Sequence, residues 1–406
     1  MVRAMQASDT DRPQPPAPLA GVRVVDLGQY IAGPGAAMAL ADLGADVVKI
    51  EPLTGDQARH IGRYGESMVR AYNRGKRSIA LDLKSEAGRQ AAWRLVERSD
   101  VVIQNLRPGA VDKLGLGPAQ VRARLPRIVY LSISGFPAGA PSHGRAGYDI
   151  AAQAESGLMS VTGEAGGLPQ KVGVPIVDAA AAQLGAQAVL AALFGRERSG
   201  VGETLEVSLL ETALHLQAAT VCEYLGGAPE PTRMGHGQPH NAPAAELVAT
   251  RDGHIVLSAY AEDHWQRLCR AVGREALADD PRFRTNAARV QHRTELRQVL
   301  QDCLAGLTSA ECVELLGSQQ IVCGAVRRYR DVLDSPDVVG SGIVVHAPSA
   351  RGPGYQALGR PYRIGNAARP QPPAAPEAGA HSSALLAEAG YSDGEIAALR
   401  QAGVVA

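Results

Sequence analysis

The first 135 residues alternate between two kinds of segment, and that alternation limits what the chain can fold into. Val22–Leu27, Asp46–Ile50, Ser78–Leu81, Val101–Gln104 and Ile128–Ser132 are short runs dominated by apolar, β-branched side chains. Gly33–Leu43, Ser85–Arg98 and Val111–Leu125 lie between them and carry helical spacing. Short runs that are apolar throughout fit strands covered on both faces. Strands separated by helices need a crossover each time, which makes the sheet parallel. An α/β fold follows.

After Gly135 the pattern changes. Gly135–Gly147 is rich in Gly, Pro, Ser and His and reads as a long loop. Asp178–Phe194 is an Ala-rich helical stretch, Glu203–Ser208 reads as a strand and Leu209–Leu225 as a helix. A second region begins near Gly226 behind a Gly/Pro-dense entry, 226–243. It contains the strand Ile255–Tyr260, helical stretches at Asp263–Val272, Thr294–Leu304 and Ser309–Ser318, the apolar run Ile321–Val326, and a helical Tyr329–Leu333. Residues 344–375 read as irregular, and the helical pair Ser382–Ala389 and Ser392–Ala402 closes the chain. The expected division is a flexible leader over 1–19, a large α/β domain over 20–225, a small domain over 226–329, and a return to the large domain over 330–406.

Charge and composition narrow the function classes. The chain of 406 residues has 41 basic and 41 acidic side chains, and aromatic residues make up only 4%. Neither a basic surface for nucleic acid nor a ladder of stacking platforms is expected. The five cysteines, Cys222, Cys269, Cys303, Cys312 and Cys323, form no CxxC pair, so neither a disulfide framework nor a zinc site is expected. The leader is polar and lacks the apolar centre of a signal peptide. The most apolar long segment, Val174–Leu193, is interrupted by Asp178, Gln183 and Gln187 and reads as a buried helix rather than a membrane span. The expectation is a cytoplasmic protein with no membrane or nucleic-acid partner.

Most sequence motifs of catalysis are missing. There is no GxxxxGK[ST] phosphate loop, no HExxH and no GxSxG. Gly33-Pro34-Gly35 follows the first strand but lacks the third glycine of a dinucleotide cradle; its proline suits a helix start. His236 and His240 are four apart, but Pro239 between them breaks a helical metal pair. One junction remains. The apolar run Val172–Val177 ends in Asp178, directly before the Ala-rich helix. An aspartate there can cap the helix by accepting first-turn N–H groups. It can equally be a reactive carboxylate, with the helix N-terminus providing donors for the anion. Spacing alone leaves both open.

Five segments, in order, resemble the family III CoA-transferases, the group containing formyl-CoA transferase, carnitine-CoA transferase and α-methylacyl-CoA racemase. They are LAGVRVVDLGQYIAGPGAAMALADLGADVVKIEPLTGD, NRGKRSIALDLK, VVIQNLRPGAVDKLGLG, GYDIAAQAESGLMSVTG and VGVPIVDAAAAQLGAQAVLAAL. The resemblance runs from Leu19 to Ala406. It implies a large Rossmann-like parallel-sheet domain, a smaller α+β domain, and an interlocked, ring-shaped homodimer. It also implies that Asp178 is the nucleophile, forming an aspartyl-CoA thioester. On the same resemblance, Ala32, Leu81, Asn105, Leu106, Lys113 and Tyr148 occupy the family's CoA-contact positions. Lys113 would meet a CoA phosphate, with Arg107 and Arg145 as further phosphate partners in CoA binding. Gly235, Gly237 and Gln238 fall where the family places a mobile glycine loop over the aspartate.

No tightly bound cofactor or metal is implied; an acyl-CoA and a carboxylic acid are the substrates. One departure is that Pro52 and Leu53 stand where formyl-CoA transferase has a basic residue. The racemase branch pairs its aspartate with a histidine, but here Tyr148 stands before Asp149. A tyrosine, with an ordinary pKa near 10, is a poor proton relay at neutral pH. That turns the reading away from racemisation, while an isomerase moving CoA within one dicarboxylate would use the same aspartate chemistry. GHGQPHNAPAAELVATRDGHIVLSA and DDPRFRTNAARVQHRTEL look nearest to the succinyl-CoA–dicarboxylate branch. Succinyl-CoA and a dicarboxylic acid are therefore the expected pair.

Overall fold

The computed structural model describes residues 17–237, 243–349, 352–365 and 371–406. Two compact units emerge. The first comprises the described residues up to Ala152, Val174–Leu216 and Gly342–Ala406; the second comprises Gln153–Gly173 and Gln217–Ser341. The second unit thus takes in a segment, 153–173, that the sequence pattern does not set apart. Polar contacts within that unit hold it: the Gln217 side-chain amide donates to the Ser156 carbonyl, Arg233 to the Ser160 carbonyl, and the Gly235 N–H to the Gly163 carbonyl. Hydropathy along the chain carries no trace of such links.

The first unit is built on six parallel strands: β1 (Arg23–Asp26), β2 (Asp46–Glu51), β3 (Lys76–Ala80), β4 (Val101–Gln104), β5 (Val129–Ser134) and β6 (Thr204–Ser208). Their order is β3-β2-β1-β4-β5-β6, the doubly wound arrangement. All five pairings are parallel, as the apolar runs require. The order reverses between β1 and β4. Connections leave in opposite directions there, opening a crevice beyond the carboxyl ends of those two strands.

The two faces of the sheet differ. Val25, Val48, Ile50, Ile79, Leu81 and Val102 join one apolar core with the helix Glu86–Val96 and the C-terminal helices Ser382–Glu388 and Asp393–Gln401. Alternation sends the intervening residues to the other side. There Asp26 stands in register with Lys49, and Lys49 with Ser78, a polar row across three central strands. Helices Ala32–Ala41 and Ile176–Ser199 pack closely on each other. A Cβ on Gly35 would lie 2.9 Å from that of Ala182, and one on Gly185 would lie 2.9 Å from Leu131.

Ile176–Ser199 is long and apolar enough to cross a membrane by length and composition. Its buried residues are Val177, Ala181, Ala182, Gly185, Ala186, Val189, Ala192, Leu193 and Arg196, a single helical stripe turned to a protein core.

The smaller unit has an antiparallel sheet of β7 (Ala245–Ala249), β8 (His254–Ser258) and β9 (Val322–Ala325). Trp265, Phe283, Leu296, Leu300 and Leu316 centre its own core. Residues 344–375 contain a regular hairpin, β10 (Val344–Ala347) with β11 (Tyr355–Leu358), which corrects the irregular reading. The expected helices Val111–Leu125 and Leu209–Leu225 are each two. The first breaks over 114–117, the second at Gln217. The substitution Gly185→Leu forces a side chain into this close helix–sheet contact. It should cost about 1–3 kcal/mol, read as a lower urea midpoint with an unchanged slope.

Candidate active site

A cavity of about 350 Å³ opens in the first unit where the strand order reverses. Its walls are the segments that follow the strands. Gln29–Ala32 come after β1, Asn105–Pro108 after β4, and Ile133–Gly135 close β5; Arg145–Tyr148 and Asp178 complete it.

A buried ion network holds the first wall. Asp26 accepts the Gly28 N–H at 2.7 Å through one carboxylate oxygen and Lys76 Nζ at 2.7 Å through the other. Lys49 donates to the Gly28 carbonyl at 2.6 Å and pairs with Asp56 at 2.9 Å. Asp56 accepts the Tyr30 N–H at 3.2 Å. Glu51 takes a two-pronged pair from Arg59 at 2.8 and 2.9 Å and a 2.6 Å hydrogen bond from the Ser78 hydroxyl. Burial alone would push Lys49 down, but Asp26, Asp56 and Glu51 outweigh it and hold the ammonium above its ordinary pKa. Burial wins at Lys76, lowering it to about 8 despite Asp26. None of these residues stands out as a site residue in the sequence. The available signal was a charge inside each of two apolar strands, since such charges persist in a core only when paired.

The second wall is tied to the first across the reversal point. Asn105 accepts the Gln29 N–H at 2.8 Å and donates its amide to the Gln29 carbonyl at 2.9 Å. Both ends of the loop 135–147 meet at glycines, where a Cβ on Gly135 would come within 2.6 Å of Gly147 Cα. That contact delivers Arg145, whose guanidinium stacks 4.7 Å over the Phe136 ring, and Tyr148, whose ring meets Tyr30 edge-on at 5.9 Å.

Asp178 lies in the first turn of Ile176–Ser199 but caps nothing. The cap comes from Asp149, whose Oδ1 accepts the N–H groups of Val177 at 2.8 Å and Asp178 at 3.2 Å. The capping role that the sequence left open for Asp178 thus falls on another carboxylate. Burial, and then the negative charge of Asp149, push Asp178 up to about 7. A carboxylate that is hard to keep ionised is a better nucleophile than an ordinary one.

Of the residues singled out in the sequence, Ala32, Asn105, Leu106, Arg107, Arg145, Tyr148 and Asp178 line this one cavity. Leu81 does not; its side chain is wholly buried in the opposite, apolar core. Lys113 is exposed at the end of a short helix and is not part of the lining. Gly235 and Gly237 belong to the second unit, where neighbouring His236 pairs with Glu164 at 2.9 Å. Gln238 lies outside the described residues, as do His240 and most of the leader.

A family model described as CoA-transferase family III matches residues 19–382. The succinate–glutarate CoA-transferase of Agrobacterium fabrum is 34% identical over 390 residues, covering 93% of this chain and 97% of that protein. A probable fatty acyl-CoA transferase of Mycobacterium tuberculosis is 37% identical over 342 residues, covering 79% and 86%. Among solved structures, a CAIB/BAIF family protein from Brucella suis superposes with a TM-score of 0.83 at 32% identity, covering 92% of this chain and 99% of that one.

Two outcomes follow from the charges. Lys49→Met leaves Asp26 with Lys76 but strands Asp56 in the core, and should cost about 3–5 kcal/mol, measured by chemical denaturation. For Asp178 the folded pKa lies above the unfolded one. Protonation therefore favours the folded state below about pH 7, and that contribution is lost as pH rises through 7. Asp178→Asn escapes the loss. Its stability relative to the native protein should grow from pH 4 to pH 7 and then level off, by about 1–2 kcal/mol after solvent screening. Melting curves across that range test it.

Proposed function

The chain belongs to CoA-transferase family III, and from that premise we propose that it moves CoA from succinyl-CoA to a dicarboxylic acid through a covalent intermediate on Asp178. The observation that carries this reading is the uncommitted Asp178 carboxylate in the crevice cavity, freed from capping by Asp149.

Asp178 attacks the thioester carbonyl carbon. The C–S bond breaks, CoA leaves as thiolate, and a mixed anhydride joins Asp178 to the acyl group. The thiolate then attacks the Asp178 carbonyl carbon, expelling the donor acid and leaving Asp178 as a thioester of CoA. The acceptor carboxylate attacks that carbonyl, regenerating an anhydride and thiolate. Attack of the thiolate on the acceptor's acyl carbon yields the new acyl-CoA and free Asp178. Each step exchanges one activated acyl derivative for another, so no external energy source is needed. Arg107 and Arg145 are the cationic residues of the cavity lining and suit the phosphates of CoA. The family resemblance further supports a homodimer, which light scattering on the purified protein checks, and a cytoplasmic location, which cell fractionation checks.

The dicarboxylate assignment rests on the Agrobacterium relative's name and on the second-region segments that look nearest to that branch. The Mycobacterium relative's name points instead to fatty acyl groups. Incubation with succinyl-CoA and a panel of acids, read by mass spectrometry, separates the two. Transfer to glutarate is expected; transfer confined to fatty acids overturns the dicarboxylate assignment. Asp178→Ala should abolish turnover and the CoA adduct while CoA still binds. Retained turnover excludes the covalent route. In the native enzyme, kcat/KM should fall on the acid side with a single titration near pH 7, as Asp178 takes up a proton.

A further inference from the structure

Tyr30 is one of two described non-glycine residues in the left-handed region, at φ 64°. A tyrosine adopts that conformation only where its surroundings over-determine it, and such outliers cluster at binding sites. Here the determinants are explicit. The Asp56 carboxylate takes its N–H, the reciprocal Asn105 pair holds the residue before it, and Tyr148 meets its ring edge-on. Its hydroxyl donates to the side-chain oxygen of Gln57 at 2.7 Å.

In that contact the Gln57 amide turns its oxygen toward Tyr30. With its oxygen accepting from Tyr30, its NH₂ group is left with two donors. Gln57 is exposed yet lines the same cavity as Asp178, which places it at the rim. The cations flanking it in the chain are engaged elsewhere, Lys49 buried beneath the loop with Asp56 and Arg59 held by Glu51 and the Pro376 carbonyl, and Arg107 and Arg145 of the same lining are assigned above to the CoA phosphates. A neutral double donor at the rim suits the free carboxylate of a short dicarboxylic acid whose other carboxylate is at Asp178.

Building on the transferase reading above, we infer that Gln57, oriented by the strained Tyr30, is a specificity-determining residue that selects acids carrying a second carboxylate. Gln57 makes the contact; Tyr30 is a positioning residue that acts through it. A carboxylate hydrogen-bonded to such a donor contributes more than a neutral pair, so the selection should be worth about tenfold or more.

The test compares glutarate with pentanoate, acids of equal chain length that differ by the second carboxylate, at fixed succinyl-CoA. The ratio of their kcat/KM values should fall at least tenfold in Gln57→Leu, chiefly through KM for glutarate, with pentanoate little changed. Tyr30→Phe keeps the ring and releases the amide, and should lower the ratio by a smaller factor. Calorimetric titration of glutarate into the CoA-saturated protein gives a readout independent of turnover and should show the same weakening in Gln57→Leu. A ratio and a glutarate affinity unchanged within twofold overturn the inference while leaving the transferase reading intact. Failure of the native protein to transfer CoA to either acid overturns the dicarboxylate assignment on which the inference rests, and failure of the native protein to bind glutarate overturns the inference by itself.

Discussion

The buried pairing of Asp26 with Lys76 and Lys49, in a row set by strand register, is the interaction on which the rest of the site depends. Three carboxylates, Asp26, Glu51 and Asp56, meet three cations, Lys49, Arg59 and Lys76, so no net charge is left in the core. Such a network is a poor source of stability, because removing six charges from water costs about as much as their attraction returns. What it supplies is direction. Apolar packing would let the loop after β1 settle in several ways. A carboxylate receiving the Gly28 N–H, an ammonium on the Gly28 carbonyl and a second carboxylate on the Tyr30 N–H permit one. Charge inside the sheet is thereby converted into the shape of a cavity wall outside it.

The same division between support and reaction recurs at the opposite wall. A helix N-terminus needs an acceptor, and the nearest acidic side chain in sequence, Asp178, could have provided one. Asp149 does so instead, from a segment 29 residues earlier. The consequence is electrostatic as well as geometric. The capping carboxylate fixes the helix end and places a negative charge near the reacting carboxylate, which raises its pKa in the same direction as burial does. One side chain thus both locates the proposed nucleophile and makes it more basic.

Much of this architecture was legible in sequence, and the exceptions have physical causes. Val101–Gln104, Ser309–Ser318 and Tyr329–Leu333 were read with the boundaries they have, because periodicity, a Thr308–Glu311 capping box and local composition agree there. The helix Gly62–Tyr72 escaped because two glycines and scattered polar residues conceal a narrow buried stripe of Gly65, Met68 and Val69. β7 escaped because Ala245–Ala249 adjoins a Pro-rich entry, and β10 and β11 because their hairpin is punctuated by glycine and proline. At the site, Asp178, Asn105 and Tyr148 were found through resemblance. Asp26, Lys49, Asp56 and Gln57 were not, since each has meaning only through a partner that the fold brings from elsewhere.

The chemistry proposed for Asp178 places a demand on this cavity that rigid walls alone do not meet. Both the anhydride and the aspartyl thioester are open to hydrolysis, and water reaching either would waste the activated acyl group. Yet Arg145, Tyr148 and Gln57 are exposed at the cavity lining. The covalent route itself reduces the problem. In the middle of the cycle CoA is attached to Asp178, so the substrate that must be retained also occupies the space that water would enter. The walls then need to be fixed rather than closed, and the ion network, the Asn105 clasp and the glycine contact of the 135–147 loop each fix one of them. A cavity built in this way can admit and release small acids at its rim while its floor and its nucleophile stay in place.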